Sequence, residues 1–172
     1  RHPAFRAELT PERVEVLSSL APLHDIGKVA IPDRVLNKAG RFTDDELAEM
    51  RKHPAHGRDV ILKAEHEVGV RDDGVLALAK EIVYTHHERW DGTGYPEGLR
   101  ATQIPVAGRV VAIVDVYDAT ANRTNPYGRR MSHDESVALI TAGRGTHFDP
   151  DIVDAFVRVA EEFRAVSEPG AR

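Results

Sequence analysis

The chain has 172 residues and a formal net charge of −5 at pH 7, from 23 Lys and Arg against 28 Asp and Glu. This length allows one domain with a substantial core, and the acidic balance argues against a basic surface for duplex nucleic acid. The lack of cysteine excludes a disulfide scaffold, a thiolate zinc site and a cysteine nucleophile. No apolar run reaches the roughly 18 residues of a spanning helix, so we expect a cytoplasmic domain without membrane insertion.

The first predicted helix begins at Thr10, a typical N-cap, with Pro11 at the first helical position. The apolar spacing that follows predicts a helix that bends near Pro22 and stops at Gly27. A short second helix is expected over residues 31–36.

A capping box that opens at Thr43 predicts a helix that continues to Leu62 and is distorted at Pro54. A further strong apolar pattern starts at Asp73. It ends before a loop rich in glycine and proline over residues 92–98.

Residues 110–116 are dense in Val and Ile, which fits either a buried helix or a strand. We expect a helix, because the sequence offers no partner strand. Ser132 opens a second capping box, and Asp149 caps a last amphipathic helix. The sequence therefore predicts one all-α domain, a single helical bundle of six or seven helices. The expected divisions are a linker over 1–9, the helical domain over 10–166 and a tail over 167–172.

Six side chains that can bind metals end or interrupt the apolar stretches: His24, Asp25, His53, His86, His87 and Asp115. The segments that carry them follow one another at intervals of about 30 residues, or one helix plus one connection, so successive helices of a bundle would each bring a ligand to one interior point. An ionised carboxylate at position 115, inside a buried helix, is costly unless it meets a cation.

Neighbours on a helix project about 100° apart, so one small ion is awkward for both His86 and His87. We therefore expect two ions about 3.5 to 4 Å apart, each bound by one of these imidazoles, with Asp25 or Asp115 as the bridge. Imidazole and carboxylate ligands without sulfur favour iron, manganese or zinc. Such a centre activates water and holds both oxygens of a phosphoryl displacement, which predicts metal-assisted phosphoester hydrolysis.

The ordered motifs of the chain resemble a known family. They are residues 23–28 (LHDIGK), residues 31–33 (IPD), His53 with Gly57, residues 86–96 (HHERWDGTGYP) and residues 115–119 (DVYDA). From about residue 9 to about residue 165, the chain resembles the HD-GYP subclass of the HD phosphohydrolases. The resemblance implies an all-helical phosphodiesterase that hydrolyses the bacterial second messenger cyclic di-GMP to pGpG or GMP, with two or three iron or manganese ions.

The resemblance also implies roles for individual residues. It assigns metal ligation to the six side chains that the spacing argument reached, and catalytic roles to Asp25 and Lys28. The substrate-binding residues that it implies are Lys28, Asp91, Gly94, Tyr95, Pro96 and Arg123. The segment from Arg123 onward departs from the family pattern by one inserted residue and a missing lysine. A further family ligand belongs on a helix that residues 1–9 cannot supply, so we expect this chain to be part of a longer protein.

Three functional hypotheses stay open at this stage. The leading one is the output phosphodiesterase of a bacterial signalling protein, controlled by an upstream receiver or sensor domain. One alternative is a catalytically weak interaction module that docks a diguanylate cyclase or an adaptor. Another is a general HD-type nucleotide phosphohydrolase.

The remaining histidines and aromatic residues are expected to have structural roles. We expect surface or capping positions for His56, His66, His133 and His147. Trp90 and Tyr95 are expected to pack within their loop rather than to stack on guanine bases.

Overall fold

The computed structural model describes residues 5–69, 74–121 and 130–167. Within these ranges the chain forms seven α-helices of at least seven residues, one four-residue helix and no strand, which confirms the predicted all-α fold. The elements are α1 (Pro11–Leu20), a 3-10 segment (Ala21–Ala30), α2 (Asp33–Leu36), α3 (Asp44–Met50), α4 (His53–Val68), α5 (Val75–Thr85), a 3-10 turn (Ala101–Gln103), α6 (Val106–Ala121), α7 (His133–Ala142) and α8 (Pro150–Ser167).

Both predicted capping boxes are present. The Thr43 hydroxyl accepts from the backbone N–H of Glu46 at 3.3 Å, and the Glu46 carboxylate accepts from the backbone N–H of Thr43 at 2.8 Å. Ser132 and Glu135 make the same pair of bonds at 3.2 and 2.8 Å. Each box satisfies two backbone donors that a helix leaves open, and so fixes where α3 and α7 begin.

Two segments that the sequence predicts as single helices are each divided near a proline, so the prediction of one continuous helix is wrong in both cases. The first α-helix ends at Leu20 instead of bending, and the chain continues as a 3-10 segment past Gly27 to Ala30. Pro22 has no N–H to donate to the carbonyl four residues earlier, so the hydrogen-bond pattern of the α-helix is interrupted here. In the same way the helix that opens at Thr43 stops at Met50, and α4 starts afresh with its proline in the first turn.

Helix α6 lies at the centre of the molecule, as its apolar sequence predicts. One buried cluster joins α6 to α8 through side chains such as Ile113 and Phe156. A second cluster joins it to α1 and α5 through Val111, Leu17 and Ile82. Helix α6 is therefore held from both sides, which fixes the helix that carries Asp115.

Glycine allows α5 and α6 to approach closely. A Cβ at Gly108 on α6 would overlap the Thr85 side chain at the end of α5. This close approach brings the residues that follow α5 beside the helix that carries Asp115.

The two ends of the described chain bear on the expected divisions. Phe5 is buried against α6 and α8, so this end of the expected linker packs on the domain. Ser167 closes α8, and Asp73, expected at a helix start, lies outside the described residues. None of the described helices is both long and apolar enough to span a membrane.

Candidate metal centre

Four potential metal ligands from three parts of the chain meet at one point. Asp25, His53, His86 and His87 each offer one ligand atom, and these four atoms all lie within 4.8 Å of one another. Asp25 comes from the 3-10 segment, His53 is the first residue of α4, and the two adjacent histidines follow α5. The residues His53 and His86 are only 2% and 1% exposed. The convergence that the helix spacing predicts is therefore present for these four side chains.

Three imidazoles at this point are held by the same local hydrogen bond. In His24, His53 and His86 the Nδ1 atom lies 2.8, 2.9 and 3.1 Å from the carbonyl oxygen three residues earlier. Since a carbonyl oxygen only accepts, Nδ1 carries a proton in each ring. This bond fixes the orientation of the ring and leaves Nε2 to face the interior of the site.

The inward nitrogen atoms face one another without a donor between them. The Nε2 atoms of His53 and His86 are 3.3 Å apart, and that of His53 is 3.4 Å from Oδ1 of Asp25. Because Nδ1 carries the proton in both neutral rings, each Nε2 atom has a lone pair. The two lone pairs face each other, and that of His53 also faces the Asp25 carboxylate. Such an arrangement is repulsive unless a cation lies between the groups. The donor set therefore fits a bound metal ion.

His24 and Asp115 adjoin this group. Nε2 of His24 lies 3.4 Å from Oδ2 of Asp25 and 3.4 Å from Oδ1 of Asp115, yet this buried atom makes no hydrogen bond to any described residue. The His24 and His86 rings are 5.1 Å apart, centre to centre. A buried nitrogen without a hydrogen bond, set between two carboxylates, is a second observation that fits a cation.

Burial keeps the central imidazoles neutral. Burial, together with the nearby His24 and His53, lowers the pKa of His86 to about 4. Burial likewise lowers the pKa of His53 and of His87. Neutral imidazole is the form that binds a metal ion.

The carboxylates are held in their ionised form. Burial alone would raise the pKa of Asp25, but contacts with His24 and Lys28 outweigh it and hold that pKa well below its usual range. Burial would likewise raise the pKa of Asp115, but His24 and the other site histidines outweigh burial and lower it. Burial lowers the pKa of His24, but contacts with Asp115, Asp25 and the carbonyl of Ala21 outweigh it and raise it to about 10. A position that attracts a proton this strongly also attracts a metal cation.

The sequence argument about the adjacent histidines does not hold. Helix α5 ends at Thr85, His86 is its C-cap and His87 lies in the following turn. Their rings lie 4.1 Å apart at 43°, and both residues belong to the four-ligand group. Because the chain leaves the helix here, the angle of about 100° between helical neighbours does not apply.

The loop after α5 is anchored by a buried carboxylate that the sequence analysis assigned no role. Glu88 is 2% exposed, and its oxygens accept from the backbone N–H groups of Glu97 at 2.7 Å and Leu99 at 3.0 Å. A Cβ at Gly94 would lie 2.6 Å from Cα of Glu88, so only glycine fits this approach. No residue adjacent to Glu88 in the sequence signals this role, because the backbone groups that it binds lie nine and eleven residues further along the chain.

The same loop places an aromatic ring against the site. Tyr95 stacks on His87 with the ring centres 4.8 Å apart and 24° between the planes, and its peptide bond to Pro96 is cis. Asp91 accepts from the backbone N–H of Thr93 at 2.9 Å and from its hydroxyl at 2.6 Å. Tyr95 therefore packs against a histidine of the site, and Asp91 braces the loop internally.

The family model described as HD domain matches residues 4–152. The chain belongs to the HD domain family. That result confirms the resemblance found in the ordered motifs.

Three curated relatives of this HD domain carry names that specify a reaction. It is 47% identical over 165 residues to a cyclic di-GMP phosphodiesterase of Vibrio cholerae, covering 96% of this chain and 33% of the relative. It is 40% identical over 150 residues to the cyclic di-GMP phosphodiesterase response regulator RpfG of Xanthomonas campestris, covering 87% of this chain and 38% of the relative. It is 35% identical over 158 residues to 3'3'-cGAMP-specific phosphodiesterase 2 of Vibrio cholerae, covering 92% of this chain and 29% of the relative. The chain thus spans about a third of the length of these relatives.

The remaining expectations for this HD domain concern two histidines and an arginine, and their outcomes differ. His133 is 2% exposed and its Nδ1 lies 2.7 Å from the Tyr117 hydroxyl, so the expectation of a surface or capping role is wrong for it. The first turn of α7 packs on α6, which the polar sequence around His133 does not reveal. His147 is half-buried, with its ring stacked on Phe148. Arg123, expected to contact phosphate, lies outside the described residues.

Proposed function

We propose that this chain is a metal-dependent phosphodiesterase domain that hydrolyses cyclic di-GMP to pGpG or GMP. The observation that carries the proposal is the pair of facing Nε2 atoms of His53 and His86, 3.3 Å apart, inside a group that includes Asp25 and His87. The names of the curated relatives support cyclic dinucleotides as the substrate class.

The proposed metal ligands are His24, Asp25, His53, His86, His87 and Asp115. Nitrogen and oxygen donors without sulfur favour iron or manganese, with zinc as a further choice, and we propose two or three ions. When bound, divalent ions acidify water and neutralise charge on a phosphoryl group.

The chain itself contributes orientation and charge. Asp25 is held ionised by the Lys28 ammonium, 2.6 Å from its Oδ2, and in this proposal it accepts a hydrogen bond from the attacking water. The Lys28 side chain is 37% exposed, so its remaining donors can reach a nonbridging phosphate oxygen. The water oxygen forms a new bond to phosphorus, and the bond between phosphorus and one ribose oxygen breaks, which opens the ring. The proton that the water loses balances the proton that the ribose oxygen gains as it leaves as a hydroxyl.

The loop with Gly94, Tyr95 and Pro96 is the proposed wall of the substrate site, and Asp91 keeps it in shape. The proposal retains Arg123 as a phosphate contact. We further propose a cytoplasmic location. We also propose control by a receiver or sensor domain, which the name of the response regulator RpfG supports.

Turnover of the manganese- or iron-loaded full chain tests the proposal. Cyclic di-GMP should disappear and pGpG or GMP should form, measured by chromatography, with 3'3'-cGAMP as a competing substrate. His86→Ala and Asp115→Ala should abolish turnover, while His66→Ala, an exposed histidine of α4, should leave it unchanged.

The alternatives predict other results. Hydrolysis of mononucleotides alone would indicate a general nucleotide phosphohydrolase. Capture of a diguanylate cyclase without any turnover would indicate an interaction module. Equal rates for wild type and both ligand variants would contradict the proposal.

A further inference from the structure

Arg51 is held in a fixed position beside the candidate metal centre. It follows α3 and precedes α4, two residues before His53. Its backbone N–H donates to the carbonyl oxygen of Leu47 at 2.9 Å. The preceding residue, Met50, offers its carbonyl oxygen to Nδ1 of His53 at 2.9 Å. The backbone that carries Arg51 is thereby tied both to α3 and to a ring of the site.

The Arg51 side chain reaches over the aromatic ring that the loop after α5 places against the site. Its guanidinium carbon lies 5.3 Å from the centre of the Tyr95 ring, within the range of a cation–π contact. Tyr95 in turn stacks on His87. Guanidinium, phenol and imidazole thus form a stack that leads from an exposed residue to a ring of the four-ligand group. The aromatic contact limits the freedom of the guanidinium, which lowers the entropic cost of binding a ligand there.

The charge of Arg51 is not neutralised by any described carboxylate. The next residue, Lys52, pairs with Glu49 at 2.6 Å, and Lys28 pairs with Asp25 at the same distance. Arg89 lies 3.7 Å from Asp91. Among the described residues, no Asp or Glu forms an ion pair with Arg51, although the chain carries a net charge of −5. The guanidinium therefore keeps its hydrogen-bond donors for a ligand.

We propose that Arg51 binds a phosphate group of the dinucleotide substrate and sets its affinity. The inference rests on the proposed function and adds a binding residue to it. A guanidinium presents a planar fork of N–H donors that matches two phosphate oxygens, which an ammonium does not. An acidic chain also needs local positive charge where an anionic substrate enters.

Binding and turnover of Arg51 variants test this inference. In the manganese-loaded full chain, Arg51→Gln should raise the Kd and the KM for cyclic di-GMP about tenfold while kcat changes less than about twofold. The Kd of Arg51→Lys should lie between those of wild type and Arg51→Gln, because lysine keeps the charge and loses the fork of donors. The matched control is Lys52→Gln, which removes a neighbouring cation that is already paired. Its Kd should stay within about twofold of wild type.

Salt dependence separates phosphate binding from a structural role. Wild-type affinity for cyclic di-GMP should weaken with added NaCl more steeply than that of Arg51→Gln, because the variant lacks one charge contact. Thermal unfolding and manganese content should be the same for both proteins. An affinity loss that comes with lower manganese content, or with equal salt dependence, would overturn the inference in favour of a structural role.

The failures of the two proposals are distinguishable. Turnover in wild type, with equal Kd and KM in Arg51→Gln, overturns the role of Arg51 and leaves the function standing. Arg51-dependent binding of cyclic di-GMP without turnover supports the role of Arg51 and overturns the function. Neither binding nor turnover in wild type overturns both.

Discussion

Gly27→Ala tests the close approach that sets Asp25 beside His53. Gly27 lies where the 3-10 segment crosses α4, and an added Cβ would overlap the carbonyl oxygen of His53 and the backbone nitrogen of Gly57. Backbone atoms cannot rotate away, so the two elements must separate by about 1 Å before the contact reaches 3.0 Å. Overpacking of this kind costs about 3 kcal/mol of unfolding free energy. In a domain of this size the loss lowers Tm by about 10 °C.

Thermal unfolding by circular dichroism and metal analysis of the same samples measure the effect. The matched control is Gly57→Ala at the same crossing, where the nearest atoms to an added Cβ are 3.3 to 3.5 Å away. This contact is tight, but alanine also favours the helix, so the control should change the unfolding free energy by less than about 1 kcal/mol. Gly27→Ala should also bind less manganese. A Gly27→Ala protein with the Tm and metal content of wild type would refute the reasoning.

Three further outcomes are expected. Asp149→Ala should cost about 3 to 5 kcal/mol in urea unfolding, because the Arg109 guanidinium, 2.6 Å from Asp149 and 8% exposed, is left buried without its partner; a loss below about 1 kcal/mol would contradict this. Burial lowers the pKa of His147 to about 4 from 6.5, so its contribution to stability is present above pH 6.5 and is lost as the pH falls towards 4. His147→Gln should therefore gain about 1 to 2 kcal/mol relative to wild type between pH 7 and pH 4, allowing for partial exposure; parallel pH profiles would count against it. Chelation with EDTA should lower the Tm of wild type by several degrees and leave that of His86→Ala unchanged, because an ion at about 100 times its Kd contributes about 2.7 kcal/mol; an equal shift in both would point to metal bound elsewhere.

Local signals in the sequence predicted most of the helix starts. The Thr43 and Ser132 boxes work because a hydroxyl and a carboxylate three residues apart satisfy backbone donors wherever the helix goes next. The central helix α6 was predictable from its apolar density, and the carboxylate of Asp115 within its apolar stretch pointed to a cation. Ends and breaks were harder, since Pro22 and Pro54 show that a helix is disturbed but not whether it bends, tightens or restarts.

The sequence predicts which residues belong to the candidate site better than it predicts how they are arranged. The interval of about one helix and one connection brings His53 and His86 to the same region in a bundle. That His86 and His87 lie beyond the last turn of α5, where both rings reach one point, follows from tertiary packing. The burial of His133 depends on its contact with Tyr117 of α6, and Glu88 is held by backbone groups nine and eleven residues further along its own loop. Nothing in the local sequence encodes these contacts.

Anomalous scattering from crystals of the manganese-loaded full chain tests the central claim most directly. The account predicts at least one manganese peak about 2.0 to 2.3 Å from Nε2 of both His53 and His86. A second peak about 3.5 to 4 Å from the first would support the two-ion centre. A map with no peak among Asp25, His53, His86 and His87, or with peaks only elsewhere on the protein, would contradict the account.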